Sequence, residues 1–144
     1  MKFSEALKDG KSSEKIVLKL LQNTYPSADR IIGYNKEFDI VVPEANMTIE
    51  VKKDFKSQET GNVVIETSMN NNPSGITTTG ANWWVFHTDP NKLIWITTFI
   101  IRDMIEIEGF KEVEFIGKGD TKKKKAYLVP IEILELYAKR VQAI

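Results

Sequence analysis

The chain contains no cysteine among its 144 residues. Disulfides and thiolate-bound metal centres are therefore excluded, and a reducing compartment is compatible with the composition. There is one histidine, His87, which rules out a multi-histidine zinc site within one chain. A catalytic metal would need oxygen ligands, which points to magnesium or manganese. No apolar run reaches the roughly 20 residues that span a bilayer. The N-terminal Met-Lys-Phe-Ser-Glu lacks the apolar core of a signal peptide. These absences predict a soluble, cytoplasmic protein with no membrane partner. An excess of either charge is also missing, since 20 basic residues balance 20 acidic ones. Proteins that coat nucleic acid without specificity are usually basic, so the balance argues against that role. The charge is nevertheless clustered: Lys52, Lys53 and Lys56 stand close together, and Lys122 to Lys125 are consecutive.

What is present suits one domain, residues 1–144, large enough to bury roughly 70% of its unfolded surface. Residues 12–23 have helical spacing, with Ile16, Val17, Leu20 and Leu21 on one face and Ser12 or Ser13 as cap. Ile31 to Tyr34 reads as a short strand. Phe38 to Val42 and Thr48 to Lys53 read as two strands joined by the turn Pro43-Glu44-Ala45-Asn46. Residues 62–68 read as a third core strand, followed by a polar loop from Met69 to Gly75 and one helical turn from Ile76 to Gly80. Trp83 to His87 and Lys92 to Ile96 read as strands. Residues 97–107 fit a helix capped by Thr97 or Thr98, with Phe99, Ile100, Met104 and Ile107 inward. Lys125 to Leu128 reads as a strand, and Pro130 opens a last helix to about Arg140. The element order predicts an α/β fold: a mixed central β-sheet flanked by helices on both faces.

The second strand pair carries the chemistry. Asp39 sits between Phe38 and Ile40-Val41-Val42, where an unpaired carboxylate is costly. Glu50 and Lys52 alternate on one strand and so project to the same face. Two carboxylates and a lysine in apolar strands suggest a divalent-metal site. The plainer alternative is a surface ion pair between Glu50 and Lys52. Glu14 on the first helix is either a site member or a solvated first-turn charge. Glu66 is a ligand or the solvent face of its strand. His87 and the three tryptophans read as structural. Lys122 to Lys125 reads as a solvated loop, with contact to a DNA backbone as the sharper alternative.

Glu14 on a helix, Asp39 on a strand, Glu50-Val51-Lys52 on the next, and Glu66 on a further strand before a Thr-rich turn together resemble the PD-(D/E)XK nuclease superfamily. The likeness covers residues 12–96. The segment Pro73-Ser74-Gly75-Ile76-Thr77-Thr78-Thr79-Gly80, leading into Trp83-Trp84-Val85-Phe86, is also similar to small phage-type nucleases. Phe38 stands where the motif name has proline. The resemblance implies a restriction-endonuclease-like core and a magnesium- or manganese-dependent DNA endonuclease. Asp39, Glu50 and the Val51 carbonyl would bind the metal, Lys52 would serve the attacking water or the phosphate, and Glu14 would support them. Lys53, Ser74, Thr77 and Thr78 are candidate substrate contacts. Alternatives are a dimeric Holliday-junction resolvase acting on branched DNA, and a nucleic-acid-binding module without activity. Glycoside hydrolysis by the carboxylate pair would leave the lysine without a role.

Overall fold

In the computed structural model, residues 3–33, 36–117, 119 and 121–144 are described, with side chains from Lys11 onward. The chain opens with helix α1 (Phe3–Gln22). Three strands follow: β1 (Asp29–Arg30), β2 (Ile40–Val42) and β3 (Met47–Lys53). The single turn α2 (Ser57–Thr60) leads to β4 (Asn62–Met69) and β5 (Asn72–Pro73), and a 3-10 turn spans Gly75–Thr77. Then come β6 (Trp83–Asp89), β7 (Lys92–Thr97), α3 (Thr98–Glu108), β8 (Glu112–Ile116), β9 (Lys123–Pro130), α4 (Ile131–Tyr137) and β10 (Arg140–Ala143).

Six strands form a mixed sheet in the order β1-β2-β3-β6-β7-β10. Only the β3–β6 pair is parallel. The expected α/β fold with a mixed sheet is present, and it is accompanied by a second, antiparallel sheet ordered β5-β4-β9-β8. The strand bearing Glu66 belongs to this second sheet. Both edges of β3 are already used, by β2 and β6, so β4 finds its long partner in β9 instead.

The strand residues alternate between two cores. Ile40, Val42, Ile49, Val85, Leu93 and Trp95 pack with Val17 and Leu21 of α1. Trp84, Phe86, Ile94 and Ile96 face the opposite way and meet Val63 and Ile65 of β4, Ile101 and Met104 of α3, and Leu134 of α4. The period-2 alternation of β6 and β7 thus supplies both layers from the same two strands.

Several local expectations are corrected. The first helix begins at Phe3, so Ser12 and Ser13 are interior to it and cap nothing. Ser13 instead reaches His87, with Oγ 2.7 Å from Nδ1. The early strand is Asp29–Arg30 rather than Ile31 to Tyr34; Gly33 has φ +126°, a break only glycine makes readily, and Tyr34 lies outside the described residues. In α3, Thr97 is the cap, its hydroxyl accepting the Ile100 N–H. Phe99 and Ile107 are exposed at 72% and 67%, however, and Ile101 takes the inward place beside Met104. The lysine run is no loop, because Lys123, Lys124 and Lys125 pair within the second sheet. The last helix stops at Tyr137, where Ala138 turns extended, and β10 covers the edge of β7. β8 has no counterpart among the elements that the sequence predicts.

Candidate active site

Asp39 is placed by the hairpin. Ile40 pairs with Ile49, and both are buried against α1. Just before β2, the Asp39 N–H donates to the Ile49 carbonyl at 2.9 Å, while the Asp39 carbonyl accepts the Ile31 N–H at 2.8 Å. The N–H and C=O of Asp39 therefore point to opposite edges, so the strand expected from Phe38 begins only at Ile40 and Asp39 is fixed by its own hydrogen bonds. Beyond the end of β2 the Asp39 side chain takes over the strand's role, with Oδ2 accepting the Val51 N–H at 2.8 Å. A strand residue's N–H and C=O point to the same edge, so the Val51 carbonyl also faces Asp39.

Glu14 arrives from α1, one residue past Ser13 and three before Val17, at the border of the stripe buried on the sheet. It is 8% exposed, and Asp39 is 7% exposed. What joins them is Lys36, a residue outside the sequence motif. Its Nζ lies 2.9 Å from Asp39 Oδ1 and 3.2 Å from Glu14 Oε1. Arg30 Nε stands 3.9 Å from the same Glu14 oxygen. Burial works against the Lys36 charge, but the hydrogen bonds and negative charges of Asp39 and Glu14 outweigh it and raise its pKa. Lys36 is therefore firmly an ammonium.

Glu50 and Lys52 share a face as expected, with Lys52 Nζ 3.3 Å from Glu50 Oε1. Lys52 also lies over the Trp84 ring, 5.5 Å from its centroid. Burial pushes the Glu50 pKa up. Lys52 pulls it back, and the Asp39 charge adds to the rise. Asp39 and Glu50 are thus electrostatic neighbours.

A cavity of about 300 Å³ opens here, lined by Lys36, Glu37, Glu50, Lys52, Glu66, Gly75, Thr78, Thr79 and Trp84. Glu66 enters from the second sheet and holds the 3-10 turn in place. Its Oε2 accepts the Ser74 hydroxyl at 2.7 Å, and its Oε1 lies 3.7 Å from Lys124 Nζ. Gly75 has φ +56°, and a Cβ there would sit 2.2 Å from the Glu66 carbonyl oxygen. No other residue fits between the turn and β4.

The predicted substrate contacts divide. Thr78 lines the cavity. Ser74 is committed to Glu66. Thr77 donates its hydroxyl to the Thr67 carbonyl at 2.9 Å and lines a neighbouring depression with Asn71 and Lys125. Lys53 falls on the other face, opposite His87 in the β3–β6 register and 4.4 Å from the Phe55 ring centroid. The motif could not indicate Lys36: a lysine three residues before Asp39 is the only signal, and the loop's path is set by tertiary contacts. Glu66 was legible as an acid within an apolar strand but not as the opposite wall of the cavity.

Among the described residues, no three carboxylate or imidazole groups already stand close enough to enclose a metal ion. The cluster's charge is balanced by Lys36, Lys52 and Arg30 instead. Among those residues, too, no helix is long and apolar enough to cross a membrane. No protein-family model matches this chain, and no curated protein or solved structure compared with it matches either.

Proposed function

We propose that the chain is a divalent-metal-dependent nuclease that hydrolyses DNA phosphodiesters at the mouth of the cavity between the two sheets. The observation carrying this reading is the shared grip of Glu14 and Asp39 on one ammonium group, with Glu50 and Lys52 beside it. Carboxylate oxygens that hold a compact cation suit a hard divalent ion; Asp39 and Glu50, with the Val51 carbonyl, would be its ligands, and Glu14 would support them. Magnesium or manganese bound there supplies an acidified water and stabilises charge on the phosphoryl oxygens. The choice of DNA follows the resemblance noted in the sequence.

The chain's own residues have definable tasks. Asp39 keeps one oxygen on the Val51 amide, which fixes its carboxylate against the strand bearing Glu50. Glu50 is buried enough to disfavour its charge, so a nearby cation favours the ionised form. Lys52 holds its ammonium beside Glu50, where it can neutralise a phosphate or orient a water. Lys36 adds a second ammonium at the same rim.

The test is incubation of supercoiled plasmid with folded protein and millimolar manganese or magnesium. Metal-dependent nicking that is lost in Lys52→Ala, with the circular dichroism spectrum preserved, is the expected result. Intact plasmid at high protein concentration, or full cleavage by Lys52→Ala, would overturn the assignment.

A further inference from the structure

A second cavity lies on the other face of the six-stranded sheet, below the C-terminal end of α1, with a volume of about 360 Å³. We propose that it is a binding pocket for a nucleobase bearing a phosphate, either as a free nucleotide or at the end of a DNA strand. The cavity is independent of the carboxylate cluster, and the inference does not rest on hydrolysis.

Its walls are aromatic by register. Val85 pairs with Trp95, and Trp83 with Thr97, so the two indoles share one face a diagonal step apart. Tyr25, just beyond α1, closes the side. Trp95 Nε1 donates to Gln142 Oε1 at 2.9 Å, which fixes the indole plane. The Gln142 amide thereby has its acceptor engaged and retains N–H donors suited to a base edge.

Charge supplies the other half of the recognition. Arg140 pairs with Trp95 across the β7–β10 ladder, so its side chain leaves the sheet on the same face as the indole. Lys139 precedes it, its N–H bonded to the Trp95 carbonyl. Both side chains line the cavity, both are exposed, and neither forms an ion pair among the described residues. Among the described residues no acidic one lines the cavity, although the chain as a whole is neutral. Flat π-surfaces with two cations at the rim select a planar group joined to an anion. The volume lies within the range of small-molecule sites.

Isothermal titration of the full chain without divalent metal tests this. The probes are dAMP, dTMP, deoxyadenosine, inorganic phosphate, laurate, and an eight-residue oligothymidylate with and without a 5′-phosphate. The expected result is saturable binding of the nucleotides, about tenfold weaker binding of deoxyadenosine, and none of phosphate alone. Arg140→Gln and Lys139→Glu, each checked for retained circular dichroism, should each weaken nucleotide binding by about tenfold. Tighter binding of the 5′-phosphorylated oligonucleotide than of dTMP would assign the pocket to strand ends; the reverse order would assign it to free nucleotides. The titration is run without divalent metal and the plasmid assay with it, so failed cleavage and a failed pocket remain distinguishable. Absence of nucleotide binding, undiminished binding by both charge variants, or binding of laurate alone would overturn the proposal.

Discussion

Replacing Lys36 by methionine tests the site where its geometry is most specific. Methionine has similar length and no charge, so it removes the ammonium shared by Asp39 and Glu14 with little change in volume. Both carboxylates are left almost buried, and among the described residues Arg30, 3.9 Å from Glu14, is the remaining ion-pair partner. Breaking a fully buried ion pair costs about 3–5 kcal/mol. The Lys36 side chain is 28% exposed, and Asp39 keeps its bond to the Val51 amide, so about 2 kcal/mol is the better figure here. At about 2.1 cal/mol/K per residue, a chain of 144 residues unfolds with roughly 0.3 kcal/mol/K of entropy, and Tm should fall by about 7 °C. Divalent metal should then act in the opposite sense. With no ammonium to displace, the variant should bind manganese more tightly than the wild type. An ion at about 100 times its Kd adds about 2.7 kcal/mol, or roughly 9 °C. Differential scanning calorimetry in EDTA and across a manganese titration reads both effects. A variant as stable as the wild type in EDTA would refute the ion-pair argument. An equal or smaller manganese-dependent shift in Lys36→Met would refute competition between the ammonium and the metal.

Gly75→Ala should lower stability by at least about 2 kcal/mol, because its φ is +56° and the new Cβ meets backbone rather than a movable side chain; urea denaturation checks this, and a change within about 0.5 kcal/mol would refute it. The His87 pKa is lowered by burial, with the Lys53 charge adding to the effect and the Pro90 carbonyl and Asp89 opposing it. The unfolded chain therefore takes up a proton below about pH 6.5 that the folded protein refuses, and stability should fall on acidification between that pH and the depressed folded value, by up to about 1.4 kcal/mol per pH unit. The slope should flatten in His87→Gln, measured by urea midpoints from pH 5 to 8. Met104→Ala should cost about 2–5 kcal/mol, whereas Phe99→Ser on the exposed face of the same helix should stay within about 0.5 kcal/mol; equal losses on thermal unfolding would contradict the packing described.

The candidate site was legible where chemistry and periodicity coincide. Glu50 and Lys52 alternate on a strand, so their shared face follows from pleat geometry alone. Asp39 was conspicuous because an acid inside an apolar strand requires a partner. The partner itself was not legible, since Lys36 reaches Asp39 and Glu14 through a loop with no periodic signal. Lys53, Ser74 and Thr77 are polar and close in sequence to the motif, but the β3 pleat, Glu66 and the Thr67 carbonyl respectively draw them elsewhere. In α3, either side of the apolar stripe could have been buried; the neighbouring β7 and α4 decide that Ile101 turns inward and Phe99 does not.

Composition and alternation by themselves determined an α/β domain lacking thiol chemistry, with one hairpin that presents Asp39 near Glu50 and Lys52. These properties are local, set by side-chain identity and by a backbone period of two. The tertiary structure alone decided that β4 leaves the first sheet, that Glu66 becomes the far wall of a cavity, and that Lys36 bridges α1 and the segment leading into β2. Those outcomes depend on which edges are free and which charges must be neutralised once buried. Such demands arise only when distant segments meet.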